Sequence, residues 1–215
     1  MKRLAFATAS EQEAALAATV EHLRAGGLLA YPTETVYGLG CMLMVEALER
    51  LALLKGGRPD KSFLLLIDNI GQVPGVYWTE PARKLAESFW PGPLTLLLRC
   101  DASRYPLQVL GPTGTVALRR TSHTGLQKLL RLLDAPITST SANAPAQSPA
   151  LDADTVQQLL TEPDVAATFL ILDGGTLTPS APSTIVDCSE SVPCLVRAGA
   201  ISLEALTRCG YDIRT

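Results

Sequence analysis

Two polar segments of this chain carry the residue types from which a binding site can be built. The first, Tyr31–Gly40, contains two threonine hydroxyls, a carboxylate and two glycines, and it follows the apolar run Gly27–Ala30. The second, Thr138–Asn143, offers hydroxyl and amide groups after an apolar start at Ile137. Because the ends of strands in α/β sheets commonly hold ligands, these segments predict one polar pocket built from separate loops.

Cationic residues add to this set at three places in the chain. The segment Lys55–Lys61 has three cations in seven residues, and it lies between a predicted helix and a predicted buried strand. A solvated turn beyond a helix C-terminus is the simpler interpretation of that segment alone, but its place at a sheet edge favours a role in the pocket. Arg119 and Arg120 end a predicted strand and can clamp a carboxylate or a phosphate, although such pairs more often form surface salt bridges. The segments Ala181–Asp187 and Val196–Ile201 supply two more hydroxyls and another arginine.

The sequence lacks the motifs of several other catalytic classes. It has no phosphate-binding G-x-x-x-x-G-K-[ST] loop, no helix-opening G-x-G-x-x-G and no G-x-S-x-G nucleophile turn. The five cysteines form no C-x-x-C pair and only two histidines are present, which disfavours a zinc site. Cys41 follows the first polar segment, but the sequence indicates no base that would activate its thiol. Hydroxyls and cations without an acid–base pair suit phosphoryl or nucleotidyl transfer, which depends on positioning and charge neutralisation.

The composition indicates a globular protein. We expect the 215 residues, 47% of them hydrophobic, to form a single domain over residues 1–215, with a core at about residues 10–201 and a short C-terminal helix at residues 202–209. The net charge of −3 argues against a broad nucleic-acid-binding surface and leaves room for a local cationic pocket. Neither a membrane-spanning run nor a secretory signal is indicated, so a cytoplasmic location is expected.

The spacing of apolar residues predicts the elements that must position these groups. Helices are expected after the capping-box pattern Ser10–Glu13 up to Gly26, and at Val45–Leu54, Thr79–Phe89, Thr124–Leu133, Asp154–Leu160 and Ser202–Arg208. Short apolar runs predict strands at Gly27–Ala30, Phe63–Ile67, Leu94–Leu98, Thr115–Arg119, Phe169–Asp173, Thr184–Cys188 and Cys194–Arg197. This interleaving predicts one α/β domain with a twisted, mixed sheet.

Six motifs occur in the order in which they are found in the YrdC/TsaC family, which this chain resembles. They are Tyr31–Gly40, Lys55 with Arg58-Pro59, Pro91–Thr95, Ser139–Asn143, Pro182–Asp187 and Arg197–Gly199. The resemblance runs from about residue 10 to about residue 201, nearly the whole chain. A single motif of this kind is weak evidence for a family, whereas six motifs in the same order are specific evidence for it.

The resemblance implies an activity, a fold and partners. Members of this family make threonylcarbamoyl-AMP and pyrophosphate from L-threonine, bicarbonate and ATP, the first step of threonylcarbamoyladenosine formation in tRNA. The implied fold is a twisted open α/β sheet with flanking helices and a concave, positively lined pocket, and the implied cofactor is Mg²⁺ with ATP. The implied partners are downstream tRNA threonylcarbamoyl-transferase proteins, with at most weak binding of tRNA itself.

The resemblance also implies a role for particular residues. Thr33, Arg119, Thr140 and Ser183 would hold the threonine. The residues that would surround ATP are Lys55, Arg58, Ser141, Asn143 and Arg197. Of these, Lys55 and Arg58 would be the catalytic cations, and neither a protein-bound metal nor a protein nucleophile is implied.

The chain departs from the family pattern in several places, and the spacing of its cations bears most directly on catalysis. The family usually spaces its cations as Lys-x-Arg, whereas this chain has Lys55-Gly56-Gly57-Arg58. That irregularity motivates an alternative, a non-catalytic YrdC-like protein that binds a nucleotide or RNA. A third interpretation, a carbamoyl-transfer domain of the hydrogenase-maturation type, would require partner domains. The extra C-terminal domain of longer family members is expected to be absent.

Overall fold

Short apolar segments of this chain pair into one open mixed sheet with helices on both of its faces. The computed structural model describes residues 1–57, 62–144, 147–161 and 163–215. The strands in these ranges are β1 (Lys2–Ala5), β2 (Leu28–Pro32), β3 (Tyr37–Gly40), β4 (Leu64–Leu66), β5 (Leu94–Arg99), β6 (Thr115–Arg119), β7 (Ile137–Ser141), β8 (Phe169–Asp173), β9 (Thr184–Asp187) and β10 (Cys194–Arg197). The helices are α1 (Ala9–Arg24), α2 (Val45–Leu54), α3 (Glu80–Phe89), α4 (Thr124–Leu133), α5 (Ala153–Leu159), α6 (Pro163–Ala167) and α7 (Leu203–Thr207).

The two faces of the sheet are filled by alternate residues of its strands. The strand order is β1-β8-β2-β3-β7-β4-β6-β5-β9-β10, with both parallel and antiparallel neighbours. In β2, Leu29 and Tyr31 join a core cluster with α1 and α4, whereas Leu28 and Ala30 join the cluster on the opposite face. Residues of α2, α3, α5 and α7 belong to that second, larger cluster. The chain is therefore a single α/β domain, and the expected fold class is confirmed.

Part of the face that α1 and α4 cover stays open toward β10. Arg119 in β6 is the register partner of Leu66 in β4, so it lies on the face where Leu66 packs with these helices. The β5–β6 register continues to place Thr95 beside Arg119, and Thr95 pairs with Ile185, which pairs with Arg197. Ile185 is half-buried and Arg197 is exposed. This row of side chains, with an arginine at each end, borders open surface.

Most of the elements agree with the sequence patterns. Three strands and two helices have the bounds expected from the sequence: Thr115–Arg119, Phe169–Asp173, Cys194–Arg197, Val45–Leu54 and Thr124–Leu133. The remaining predicted elements differ by a residue or two at their ends. None of the helices in the described ranges is both long and apolar enough to cross a bilayer.

The first helix begins earlier than its sequence pattern indicated. The N-cap is Thr8, whose side chain accepts a hydrogen bond from the N–H of Glu11, while the Glu11 carboxylate accepts one from the N–H of Thr8. The expected capping box at Ser10–Glu13 is wrong, although it has the same spacing. The earlier start is favoured because it buries Gln12, whose side chain donates to the carbonyl oxygen of Phe6.

Both polar segments contain strand where loops were expected. Tyr37–Gly40 forms β3, and most of Thr138–Asn143 belongs to β7, which pairs with β3. The two strands approach closely: a Cβ atom on Gly40 would lie 1.9 Å from the carbonyl oxygen of Thr138. Glycine is therefore required at this position by the packing of backbone against backbone.

The α4 helix supplies a matched pair of leucines for testing the core that supports the site. Leu129 is fully buried, and its replacement in Leu129→Ala should lower the free energy of unfolding by about 2–5 kcal/mol because it leaves a cavity. Leu132 on the same helix is 53% exposed, so Leu132→Ala should change it by less than about 0.5 kcal/mol. Urea denaturation measures both, and equal losses in the two variants would contradict this packing.

Candidate functional site

The hairpin loop between β2 and β3, residues 33–36, forms one side of the candidate site. The Thr33 hydroxyl accepts hydrogen bonds from the N–H groups of Thr35 and Val36 at 3.1 and 3.2 Å. It also donates to the Val36 carbonyl oxygen at 2.7 Å. The Thr33 side chain is buried, and its hydroxyl fixes the shape of this loop.

The Glu34 carboxylate ties this loop to the end of β6. It pairs with Arg119 at 2.9 Å, accepts the N–H of Ser122 at 3.2 Å and accepts the hydroxyl hydrogen of Thr121. Arg119 also donates to the Thr35 hydroxyl at 3.3 Å. Burial alone would raise the pKa of Glu34, but the charge of Arg119 and the hydrogen bonds from Thr121 and Arg119 hold that pKa below its ordinary value. Glu34 is therefore an anion at neutral pH.

The Arg119 guanidinium keeps unused hydrogen-bonding capacity. The residue is 5% exposed, and its buried Nε has no partner within the described ranges of the chain. In the described ranges this guanidinium bonds to the protein through Nη2, which leaves its other donors for an acceptor supplied from outside. The planar guanidinium matches the oxygens of a carboxylate or a phosphate.

A second arginine approaches the same region from the edge strand. Arg197 donates through Nε and Nη2 to the Ser183 carbonyl oxygen at 3.1 and 2.7 Å, and through Nη2 to the Ser183 hydroxyl at 3.0 Å. The Ser183 hydroxyl lies 2.9 Å from the Thr95 hydroxyl. Partial burial of the guanidinium by its surroundings, and then the nearby positive charge of Arg119, lower the pKa of Arg197. Two guanidinium groups that repel each other form a site for an anion.

Lys55 lies at the C-terminus of α2 and contacts the loop that follows β7. Its Nζ donates to the carbonyl oxygens of Ser141 and Asn143 at 3.0 and 2.7 Å and to Asn143 Oδ1 at 3.0 Å. The Asn143 amide then donates to the carbonyl oxygens of Ala144 and Gln147 at 3.0 and 2.8 Å. Lys55 is 1% exposed, so one of its roles is to hold this loop in place.

The predicted site residues fall into two groups in the structure. The first group combines the hairpin loop with the row of side chains from Arg119 to Arg197, here called the arginine row. It contains Thr33, Arg119, Ser183 and Arg197. The second group contains Lys55, Ser141 and Asn143. Thr140 lies in β7 opposite Leu39, next to the second group. Arg58 lies outside the described residues.

Several residues of the site were not assigned a role from the sequence. They are Glu34, Thr35, Thr95, Thr121 and Ser180, the last of which donates to the Thr35 carbonyl oxygen at 3.2 Å. Two of them carry a signal that sequence reasoning can use. Thr95 is the one polar residue within the leucines of Leu94–Leu98, and Glu34 is the one acidic residue of Tyr31–Gly40.

The structure offers neither a reactive thiol nor a metal cluster at this place. Burial raises the pKa of the Cys41 thiol to about 11, so this thiol is protonated at neutral pH and is a poor nucleophile. The described residues contain no group of three or more His, Cys, Asp or Glu side chains that could hold a metal ion.

The ion pair of Glu34 makes a pH-dependent contribution to stability. Because the folded-state pKa lies below the ordinary glutamate value of 4.5, this contribution is fully present above about pH 4.5 and is lost as the pH falls through the folded-state value. Glu34→Gln should therefore be less stable than the unmodified protein at neutral pH, and the difference should shrink on acidification. Urea denaturation at neutral and acid pH measures this difference.

Glu13 provides the control for that comparison. Its exposed side chain pairs with Lys128 on the surface, where ion pairs contribute little. Glu13→Gln should change stability only slightly at either pH. A stability difference for Glu34→Gln that is independent of pH would contradict the assigned ion pair.

Lys55→Met tests whether the ammonium group holds the loop after β7. The methionine keeps an apolar stem but leaves the carbonyl oxygens of Ser141 and Asn143 without this donor, which should lower the free energy of unfolding by about 1–3 kcal/mol. Lys128→Met, at a surface salt bridge, should have a much smaller effect. Thermal denaturation of both variants measures the difference, and unchanged stability of Lys55→Met would disprove this role.

Comparison with known proteins gives matches over most of the chain. The sequence model of the Sua5/YciO/YrdC family, described as telomere recombination, matches residues 21–199. A protein of Thiobacillus denitrificans named threonylcarbamoyl-AMP synthase is 36% identical over 185 residues, covering 85% of this chain and 95% of that protein. A Pyrococcus abyssi protein of the same name is 35% identical over 195 residues, covering 89% of this chain. The chain spans only 56% of the length of the Pyrococcus protein.

A solved structure extends this agreement to the whole fold. The crystal structure of Pyrococcus abyssi Sua5 complexed with L-threonine matches with a TM-score of 0.86 at 31% identity, over 99% of this chain and 62% of that one. The six sequence motifs, the fold and the extent of these matches agree with one another. The chain belongs to the Sua5/YciO/YrdC family.

Proposed function

We propose that this protein is a threonylcarbamoyl-AMP synthase, which converts L-threonine, bicarbonate and ATP into threonylcarbamoyl-AMP and pyrophosphate. The observation that carries the proposal is the pair Arg119 and Arg197, which lies at an open part of the sheet and includes a buried donor without a partner. The two relatives named for this activity and the threonine-bound Pyrococcus structure support it.

The proposed reaction needs positioned charge and no protein nucleophile. The threonine amine and bicarbonate combine with loss of water to give a carbamate, and a carbamate oxygen attacks the α-phosphorus of ATP. Pyrophosphate leaves, so cations must neutralise the negative charge that develops on it. Mg²⁺ enters as part of the ATP substrate because it binds phosphate oxygens readily.

The arginine row and the hairpin loop would hold the amino acid. Arg119 would bind its carboxylate through donors that the protein leaves unused, of which the buried Nε is one. Ser183, which directly precedes β9, and Thr140 in β7 would contact the rest of the molecule. Thr33 would act through the loop that its hydroxyl shapes as well as through direct contact.

The second group of residues would hold ATP. Ser141 and Asn143 lie on the loop after β7, which Lys55 fixes through its carbonyl oxygens. Arg197 would contact the phosphates from the opposite side, and Lys55 and Arg58 would be the catalytic cations. In this division the amino acid would combine with bicarbonate beside the bound ATP, so that the resulting carbamate oxygen can reach the α-phosphorus.

The product of this reaction is an activated carbamoyl group that must be passed on. We infer that proteins which transfer it to tRNA are the partners of this chain in the cytoplasm. Direct tRNA binding would be weak, since the net charge of the chain is −3.

The activity is tested by mass spectrometry on the pure protein mixed with ATP, Mg²⁺, L-threonine and bicarbonate. Threonylcarbamoyl-AMP should appear only when all three substrates are present. Its absence from a preparation that binds ATP would overturn the proposed activity and favour a non-catalytic nucleotide-binding protein. Binding of RNA at low salt would support the RNA-binding alternative.

Arg197→Ala should abolish most of the product while the fold stays intact. The expected loss is about 100-fold or more, because a cation that neutralises the transferring phosphates is removed. Arg99→Ala is the matched control: Arg99 lies at the end of β5, two strands from β10, in an exposed salt bridge with Glu190, and its loss should leave the rate nearly unchanged. Equal rates for the two variants would remove Arg197 from the site.

A further inference from the structure

The Glu34 carboxylate retains one acceptor position after its contacts with the protein are counted. Its Oε1 accepts hydrogen bonds from Arg119 and from the N–H of Ser122, and its Oε2 accepts the hydroxyl hydrogen of Thr121. A carboxylate offers about two acceptor positions on each oxygen, so Oε2 has room for one more donor. The side chain is 17% exposed, which lets a small ligand reach it.

The partner in the ion pair has the opposite kind of unused capacity. Arg119 has a buried Nε donor without a partner in the described part of the chain. One ion pair therefore offers a free acceptor on its anion and a free donor on its cation. An α-amino acid is the complementary ligand, because it carries an ammonium group and a carboxylate on the same carbon atom.

We propose that Glu34 is a specificity-determining residue that accepts a hydrogen bond from the α-amino group of the substrate while Arg119 binds its carboxylate. This inference rests on the proposed function and names which part of the amino acid Glu34 recognises. The contact selects α-amino acids against carboxylic acids that lack the amine. It also fixes the position of the nitrogen that must combine with bicarbonate.

Two other roles of Glu34 make different predictions. If Glu34 only tethers the hairpin loop, its removal misplaces Arg119 and weakens the binding of every ligand that has a carboxylate. If Glu34 only competes with the ligand for Arg119, its removal strengthens the binding of every such ligand. Recognition of the amine alone makes the effect depend on whether the ligand carries that amine.

The experiment compares two ligands by calorimetric titration of the full chain. L-Threonine carries the amine, and (R)-3-hydroxybutanoate keeps its carboxylate and hydroxyl but lacks the amine. The unmodified protein should bind threonine about tenfold or more tightly, since a charged hydrogen bond contributes more than 1 kcal/mol. Glu34→Gln should weaken the binding of threonine by about the same factor and should change the affinity for hydroxybutanoate by no more than about twofold. Arg119→Gln should weaken both ligands, because both need the guanidinium.

The outcomes of this titration distinguish failure of the proposed function from failure of the role of Glu34. Failure of the unmodified protein to bind threonine while it binds ATP would overturn the proposed function together with this inference. Equal affinity of the unmodified protein for the two ligands, or a parallel change of both in Glu34→Gln, would overturn the role of Glu34 alone. Circular dichroism verifies the fold of each variant, and if Glu34→Gln does not fold, Glu34→Asp, which withdraws the carboxylate from the ligand but keeps its charge, takes its place and should weaken only threonine.

Discussion

The burial of the Arg119 guanidinium is the constraint on which the rest of the site depends. A buried charge is costly unless a counter-charge and hydrogen bonds accompany it. The counter-charge is Glu34, which belongs to a hairpin loop on a different pair of strands. That loop must therefore keep one shape, which the Thr33 hydroxyl provides, and the segment after β6 must present Thr121 to the same carboxylate. Removing Glu34 would leave the buried charge without its counter-charge.

The layout of the sheet explains why this charge can be both buried and available. The helices α1 and α4 cover the face of the sheet as far as Leu66 in β4, and Arg119 is the next residue along that row. The part of the Arg119 side chain nearest the backbone therefore lies in the core. The same row of side chains continues through Thr95 to the exposed Arg197. A position at the border between covered and open sheet gives a side chain low solvent exposure and leaves a small ligand access to it.

Much of the fold was predictable, whereas the contacts of the site were less so. Strands such as Thr115–Arg119 follow from short apolar runs with clear ends, and α4 follows from its helical spacing. The start of α1 was ambiguous because Thr8 and Ser10 both have a glutamate three residues later. The pairing of Glu34 with Arg119 depends on the strand order β3-β7-β4-β6, which no local pattern contains. Family resemblance pointed to Arg119 but gave no role to Glu34, since a motif reports which residues recur and not what each one contacts.

Two arginines held near each other give this site a preference for anions. Partial burial and the charge of Arg119 both lower the pKa of Arg197. The Ser183 carbonyl oxygen and the Glu34 carboxylate offset the repulsion without removing it. An incoming carboxylate or phosphate would offset the remaining repulsion. Because the donors are in place before the ligand arrives, little reorganisation opposes binding, which is the condition under which fixed charges act most strongly on a phosphoryl group.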